Sequence, residues 1–299
     1  MKRTFIYDFL TILIRVYPLT LMLKFLLYDL FIRKNILKTD TNDGIGKMKI
    51  GFIGTGKIAY SCIIALVGRG HTITITERNK SISKRLASEF DDVKIASPQG
   101  VIDESDVIFL AIMEDVTETI LNSITFYKNQ TIISFILGVD LKRLQTLCAP
   151  AHDIAITIPL PMIEQGNCPL PIYPKNKVLS QLFGKENFIM ELSSEAELLP
   201  FFAATAILST SLAQLEIAKM WLQKHLDSSE VAESYLVNLM AGTYSGIKKD
   251  GVNRIAEELS SLSTKGGLNS QLRNHMRDEG VEDTLYNGLS SLGKRLNLN

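Results

Sequence analysis

The spacing of apolar positions changes along the chain, and the changes predict its architecture. Residues 49–53 form a short apolar run, and 57–69 repeat apolar side chains at helical spacing until Gly70 stops them. Residues 72–76 alternate Ile73 and Ile75 with threonine, as a strand does. The pattern then predicts a helix over 81–90, a strand over 93–96, a helical turn over 98–104 and strands over 106–112 and 131–136. A helix over 140–148, a strand over 154–158 and short elements over 170–173, 176–183 and 188–192 complete this half. Near-continuous apolar strands alternating with helices predict an α/β domain on a doubly wound parallel sheet. After Leu192 the strand signals stop. One long helix, opening at Ser194 or Glu195 and running to about Leu226, is apolar on most faces. Four more follow over 230–249, 254–262, 268–279 and 281–296. A helix apolar all round belongs in a bundle core or a subunit interface. Residues 194–299 are therefore read as an all-helical dimerisation domain, and a homodimer or higher homo-oligomer is expected.

Chemistry concentrates at the first turn. Strand, glycine turn, helix and strand within about 30 residues is the setting a dinucleotide fingerprint requires. Gly54 makes the tight turn, Gly56 leaves room for a pyrophosphate, and Ala59 replaces the third glycine where helix packs on strand. The exposed N–H groups of Gly56, Lys57 and Ile58, with Thr55 in the turn, face the place an anion would occupy. Residues 48–193 are thus a Rossmann-type, NAD(P)-binding domain. Glu77 lies 18 residues beyond Ala59, where an acid holds the ribose 2′-hydroxyl of NAD. Arg78, Asn79 and Lys80 follow at once and suit a 2′-phosphate. NADP(H) is the expected cofactor, NAD(H) the alternative. Ligands of such sheets bind outside the carboxyl ends of the strands, which places Ala111, Ile112 and Met113 near the nicotinamide, with segments 136–138 and 158–161.

Composition narrows the class. The 299 residues are 46% apolar, with Lys+Arg and Asp+Glu both at 32. No basic stripe interleaves with aromatics, which argues against nucleic acid. Cys62, Cys148 and Cys168 are too few and too scattered for a disulfide framework or a metal set, and fit a reducing cytoplasm. No metal is expected, and no G-x-S-x-G elbow is present. Segment 5–32 is dense in Leu, Ile and Phe, but Asp8, Arg15, Lys24 and Asp29 interrupt it and Pro18 would kink a helix. A bilayer span takes about 20 uninterrupted apolar residues. Residues 1–47 are read as a hydrophobic extension and linker, with a membrane-surface anchor or a buried partner helix as alternatives.

The combination resembles the pyrroline-5-carboxylate reductase family. GFIGTGKIA, DVIFLAI and SFILGVDLKRL fall in family order, and the segment Leu262-Ser263-Thr264-Lys265-Gly266-Gly267-Leu268-Asn269 matches the family's Ser-Pro-Gly-Gly-(small)-Thr run. The resemblance covers about 48–296. It implies a Rossmann domain, a helical dimerisation domain, active sites between the two, and hydride transfer from NAD(P)H to a ring C=N carbon, giving proline. Two glycines before a helix can cradle a substrate carboxylate on backbone N–H groups. Lys265, Gly266, Gly267, Leu268 and Asn269 are the expected substrate contacts. In the family a threonine hydroxyl sits near the imine nitrogen; the matching Asn269 could donate the same bond, and Thr264 is the second catalytic candidate. Simpler readings give Asn269 a helix cap and Lys265 a surface charge. The family's Lys-Pro-Gln becomes Met113-Glu114-Asp115, its Met-Pro-Asn-Thr-Pro shortens to Ile158-Pro159-Leu160-Pro161, and its Ser-Gly-Ser-Gly-Pro-Ala-Tyr run becomes residues 204–210, ATAILST. Such changes leave a fold intact and alter specificity. The alternatives are a β-hydroxy-acid or keto-acid dehydrogenase, which would need a lysine or histidine acid/base, and a non-catalytic nucleotide-binding regulator. His71, His152, His225 and His275 show no catalytic spacing.

Overall fold

The computed structural model describes residues 46–298, so the extension expected over 1–47 lies, except for its last two residues, outside the described part. Eight strands are present: β1 (Lys49–Ile53), β2 (Thr72–Thr76), β3 (Val93–Ala96), β4 (Val107–Leu110), β5 (Thr131–Ser134), β6 (Asp153–Thr157), β7 (Pro169–Tyr173) and β8 (Phe188–Glu191). They form one sheet in the order β3-β2-β1-β4-β5-β6-β7-β8. Between them run α1 (Lys57–Leu66), α2 (Lys80–Glu89), α3 (Pro98–Asp103), α4 (Glu114–Leu121), α5 (Leu141–Leu147) and α6 (Lys177–Phe183). The order reverses at β1, whose neighbours are β2 and β4, as a doubly wound sheet requires.

One pairing departs from the expected parallel sheet. β7 runs antiparallel to β6, while the other neighbours are parallel. The connection is too short for a crossover helix, holding only a 3-10 turn over Pro161–Glu164, so the chain returns as a hairpin. α1 also stops earlier than its apolar pattern, at Leu66, because Gly68 and Gly70 adopt φ of +74° and +82° and unwind the end. Helix α4 had no predicted counterpart. Its sequence EDVTETIL is half polar, and only Thr117 and Leu121 are buried.

The core lies on both faces of β1 and β4. Phe52 and Phe109 stack across the pair at 4.7 Å between ring centroids, and Phe183 meets Phe109 edge-on at 6.1 Å. Ile50, Ile63, Leu66, Ile73 and Ile75 close around them with no exposed surface.

Two compact units divide the chain, one ending at Glu195 and the other beginning at Ala196. The second is wholly helical: α7 (Leu198–Ala204), α8 (Ile207–Gln223), α9 (Ser229–Gly246), α10 (Arg254–Ser261), α11 (Leu268–Asp278) and α12 (Val281–Arg295). The single long helix expected over 195–226 is therefore broken. Thr205 breaks it: its N–H is shared between the carbonyls of Phe201 and Phe202, and its hydroxyl returns to Phe202 O at 2.7 Å. Among the described residues of this unit only Leu198 and Ala232 are buried. Leu212, Ile217 and Trp221 on α8 are 66%, 68% and 62% exposed. The segment Glu195–Gln223 is long and apolar enough to cross a membrane by length and composition.

Candidate functional site

The β1–α1 turn is built for close approach. Gly54 has φ +100°, and a Cβ there would stand 2.3 Å from the carbonyl oxygen of Ala111 at the end of β4. Both conditions demand glycine. Its N–H donates to Thr76 Oγ1 at 2.9 Å, tying the turn to the end of β2. Thr55, expected beside the cofactor, is buried instead. Its hydroxyl donates to Thr76 O at 3.2 Å and accepts from Asn79 N at 3.3 Å. That side chain staples β1 to β2 and leaves only its backbone for a ligand. Gly56 is the N-cap of α1, offers no side-chain cap, and has open space where a Cβ would be. The N–H groups of the first turn, on Lys57, Ile58 and Ala59, have no intrahelical acceptor. Lys57 is exposed, Ile58 half-buried, and Ala59 packed into the core. An uncapped helix start with an open approach fits a pyrophosphate.

Beside this turn lies a cleft of about 840 Å³ across the carboxyl ends of β1 to β4. Glu77 and Arg78 line it beyond the end of β2; Ile95, Val116 and Ile120 make an apolar slot whose chemistry would suit an adenine. Asn79 is outside the lining. It caps α2, its Oδ1 accepting from Ile82 N at 3.2 Å. Ile112 lies in the wall, whereas Ala111 abuts Gly54. The slot residues Ile95, Val116 and Ile120 were missed from sequence, because α4 was not anticipated and Ile95 reads as ordinary strand.

A second cavity, of about 920 Å³, opens at the carboxyl ends of β4 and β5, the nicotinamide side of such a sheet. Met113, 65% exposed, and Glu114 line it, with Gly138 opposite. Arg143 on α5 reaches Glu118 on α4, its Nε at 2.9 Å, and lashes the two helices together at the wall. Asp140 caps α5 through Arg143 N at 2.6 Å, and Glu195 accepts from Leu141 N at 2.7 Å.

The predicted substrate segment stands at the start of α11. Gly266 has φ +78°, and Gly267 N donates to Thr264 O at 2.9 Å, so one of the two expected cradle N–H groups is spent on the turn itself. Gly267 is the N-cap and has no side-chain cap bond, which removes capping as the role of Asn269. Asn269 sits in the first turn, and Thr264, Lys265, Leu268 and Asn269 are all exposed. His71 is buried and accepts from Met48 N at 3.2 Å; His225 packs against Trp221 with the rings tilted by 54°. Burial pushes the Cys62 thiol well up and Cys148 to about 12, so both stay protonated and inert.

Residues 49–138 match the family described as NADP oxidoreductase, coenzyme F420-dependent. No curated protein matches the sequence. Among solved structures, 1-pyrroline-5-carboxylate reductase from Streptococcus pyogenes is similar at 21% identity and TM-score 0.70, covering 84% of this chain and 98% of that one. Pyrroline carboxylate reductase from Plasmodium falciparum with NADP bound gives 15% and 0.69, with coverage of 84% and 98%. A reductive aminase from Aspergillus terreus in complex with NADPH and ethyl-5-oxohexanoate gives 13% and 0.53, covering 85% and 89%. The chain has the fold these reductases share.

Proposed function

We propose that this chain is an NAD(P)H-dependent oxidoreductase, a divergent relative of the pyrroline-5-carboxylate reductases. It would reduce the C=N bond of a small carboxylated imine, with pyrroline-5-carboxylate the default substrate and NADP(H) the preferred cofactor. The observation that carries the reading is the uncapped start of α1 beside Gly54, opening on a cleft that ends at Arg78. The Gly56, Lys57 and Ile58 N–H groups would hold the pyrophosphate, and Arg78 the 2′-phosphate. Bound there, the cofactor supplies a hydride. The protein supplies position and a hydrogen-bond donor at the imine nitrogen, which takes its proton from water. On this reading the Leu268 and Asn269 N–H groups hold the substrate carboxylate with Lys265, and the Asn269 amide donates to the imine nitrogen.

Oxidation of NADPH by the full chain, with and without pyrroline-5-carboxylate, tests this directly. Saturable, substrate-dependent oxidation supports the reductase; cofactor binding with every imine and keto acid inert moves the protein to a nucleotide-binding regulator. The replaced Met113-Glu114-Asp115 segment favours keeping that second reading. The protein is further proposed to act as a homodimer in a reducing cytoplasm, because α8 leaves Leu212 and Ile217 uncovered and all three cysteines are free thiols.

A further inference from the structure

The Glu114 carboxylate is oddly placed for a surface acid. Glu114 is the first residue of α4, directly beyond β4, and lines the cavity at the carboxyl ends of β4 and β5. Its carboxylate occupies the space above Gly138 where a Cβ would stand, so the missing side chain of the β5–α5 loop is what seats it. Among the described residues it has neither a hydrogen-bond nor an ion-pair partner. Glu118 on this wall is engaged with Arg143, and Asp140 with the start of α5. Asp115 shares the wall and is likewise exposed and unpaired among the described residues, but the atoms nearest a Cβ at Gly138 are all Glu114's. An exposed, unpaired negative charge, seated over Gly138, therefore lies between the two strand ends, on the side where such a sheet would take the nicotinamide.

From this placement we infer that Glu114 stabilises the oxidised, cationic form of the cofactor's nicotinamide over the reduced, neutral one. The inference rests on the reductase reading above. Hydride transfer carries two electrons and a hydrogen from the dihydropyridine C4 to the imine carbon. The C=N pair moves onto nitrogen, which takes a proton from water, and the ring is left with one positive charge. A carboxylate beside that ring interacts favourably with the charge created and has little to gain from the neutral form. It lowers the cost of hydride departure and makes the oxidised cofactor the tighter ligand. A single exposed charge about 4 Å from the ring, at close to the dielectric of water, is worth roughly a fivefold preference.

Binding separates this from a merely structural role. NADP+ and NADPH are titrated into wild type, Glu114→Gln and Gly138→Ala, following protein fluorescence or heat. The expected wild-type Kd is about fivefold lower for NADP+ than for NADPH. Glu114→Gln should bring the two together by weakening NADP+ alone. Gly138→Ala keeps the charge but moves the carboxylate aside, and should shrink the ratio as well. A structural defect would weaken both ligands equally. Binding of both forms with a ratio unchanged by Glu114→Gln overturns the inference and leaves the reductase reading standing. Failure to bind either form in wild type overturns both.

Discussion

At the scale of single residues, the proposed cofactor choice would come down to two neighbouring charges. Glu77 and Arg78 both line the cleft beyond the end of β2. An arginine–phosphate contact is worth about 2 kcal/mol, so Arg78→Ala should weaken NADPH roughly tenfold or more and leave NADH nearly unchanged in a titration. Equal losses for both would take Arg78 out of phosphate recognition. His71 makes a second, independent prediction. Its Nδ1 must stay unprotonated to accept from Met48 N, and burial, with Arg69 nearby, holds its pKa below the ordinary value against the pull of Asp92. The unfolded chain then takes the proton first. Stability is complete above about pH 6.5 and falls as pH drops below it. The urea midpoint should decline between pH 7.5 and 5.5, and His71→Gln should flatten that decline.

At the scale of elements, the caps separate helices that matter to the core from those that do not. Asn176 is buried, accepts from Leu179 N at 2.9 Å, and gives its amide to Asp153 at 3.1 Å, joining α6 to β6. Asn176→Ala should cost about 2 kcal/mol by denaturant unfolding. Ser228 caps α9 through an exposed bond of 3.4 Å, and Ser228→Ala should cost about 0.5 kcal/mol or less. Which elements the sequence revealed follows from the same physics. The buried strands β1 and β2 read correctly from end to end because apolar or alternating runs and glycine turns bound them, and the half-exposed β3 because Asp91-Asp92 and Ser97-Pro98 punctuate it. α4 was invisible because Thr and acidic residues fill it, and its value lies in the slot it walls. The antiparallel β7 was illegible because direction depends on connection length, which apolar spacing does not encode. At the site, Gly54 and Gly56 announced themselves through the turn they make. The stapling role of the Thr55 hydroxyl was not legible, since a hydroxyl beside a ligand and one stapling two strands have the same letter.

At the scale of the whole molecule, the two units are stabilised in different ways. The first has a closed interior around Phe52 and Phe109. The second buries only Leu198 and Ala232 among its described residues and leaves α8 apolar to the outside. Charges placed at Leu212→Asp and Ile217→Asp should therefore abolish the proposed dimer, read as a halved mass in light scattering, while the first unit keeps its cofactor affinity. A wild-type chain that runs as a monodisperse monomer would overturn the dimer. The scarcity of interior also bears on how the protein is made. The sheet leaves the ribosome first and has everything it needs to close on itself. The helices that follow have almost no interior to close around, so on the proposed dimer their maturation would be paced by how soon a second chain is found. A cell that makes little of the protein would hold those apolar faces open longest, and the second unit is where its chaperones and proteases would meet it.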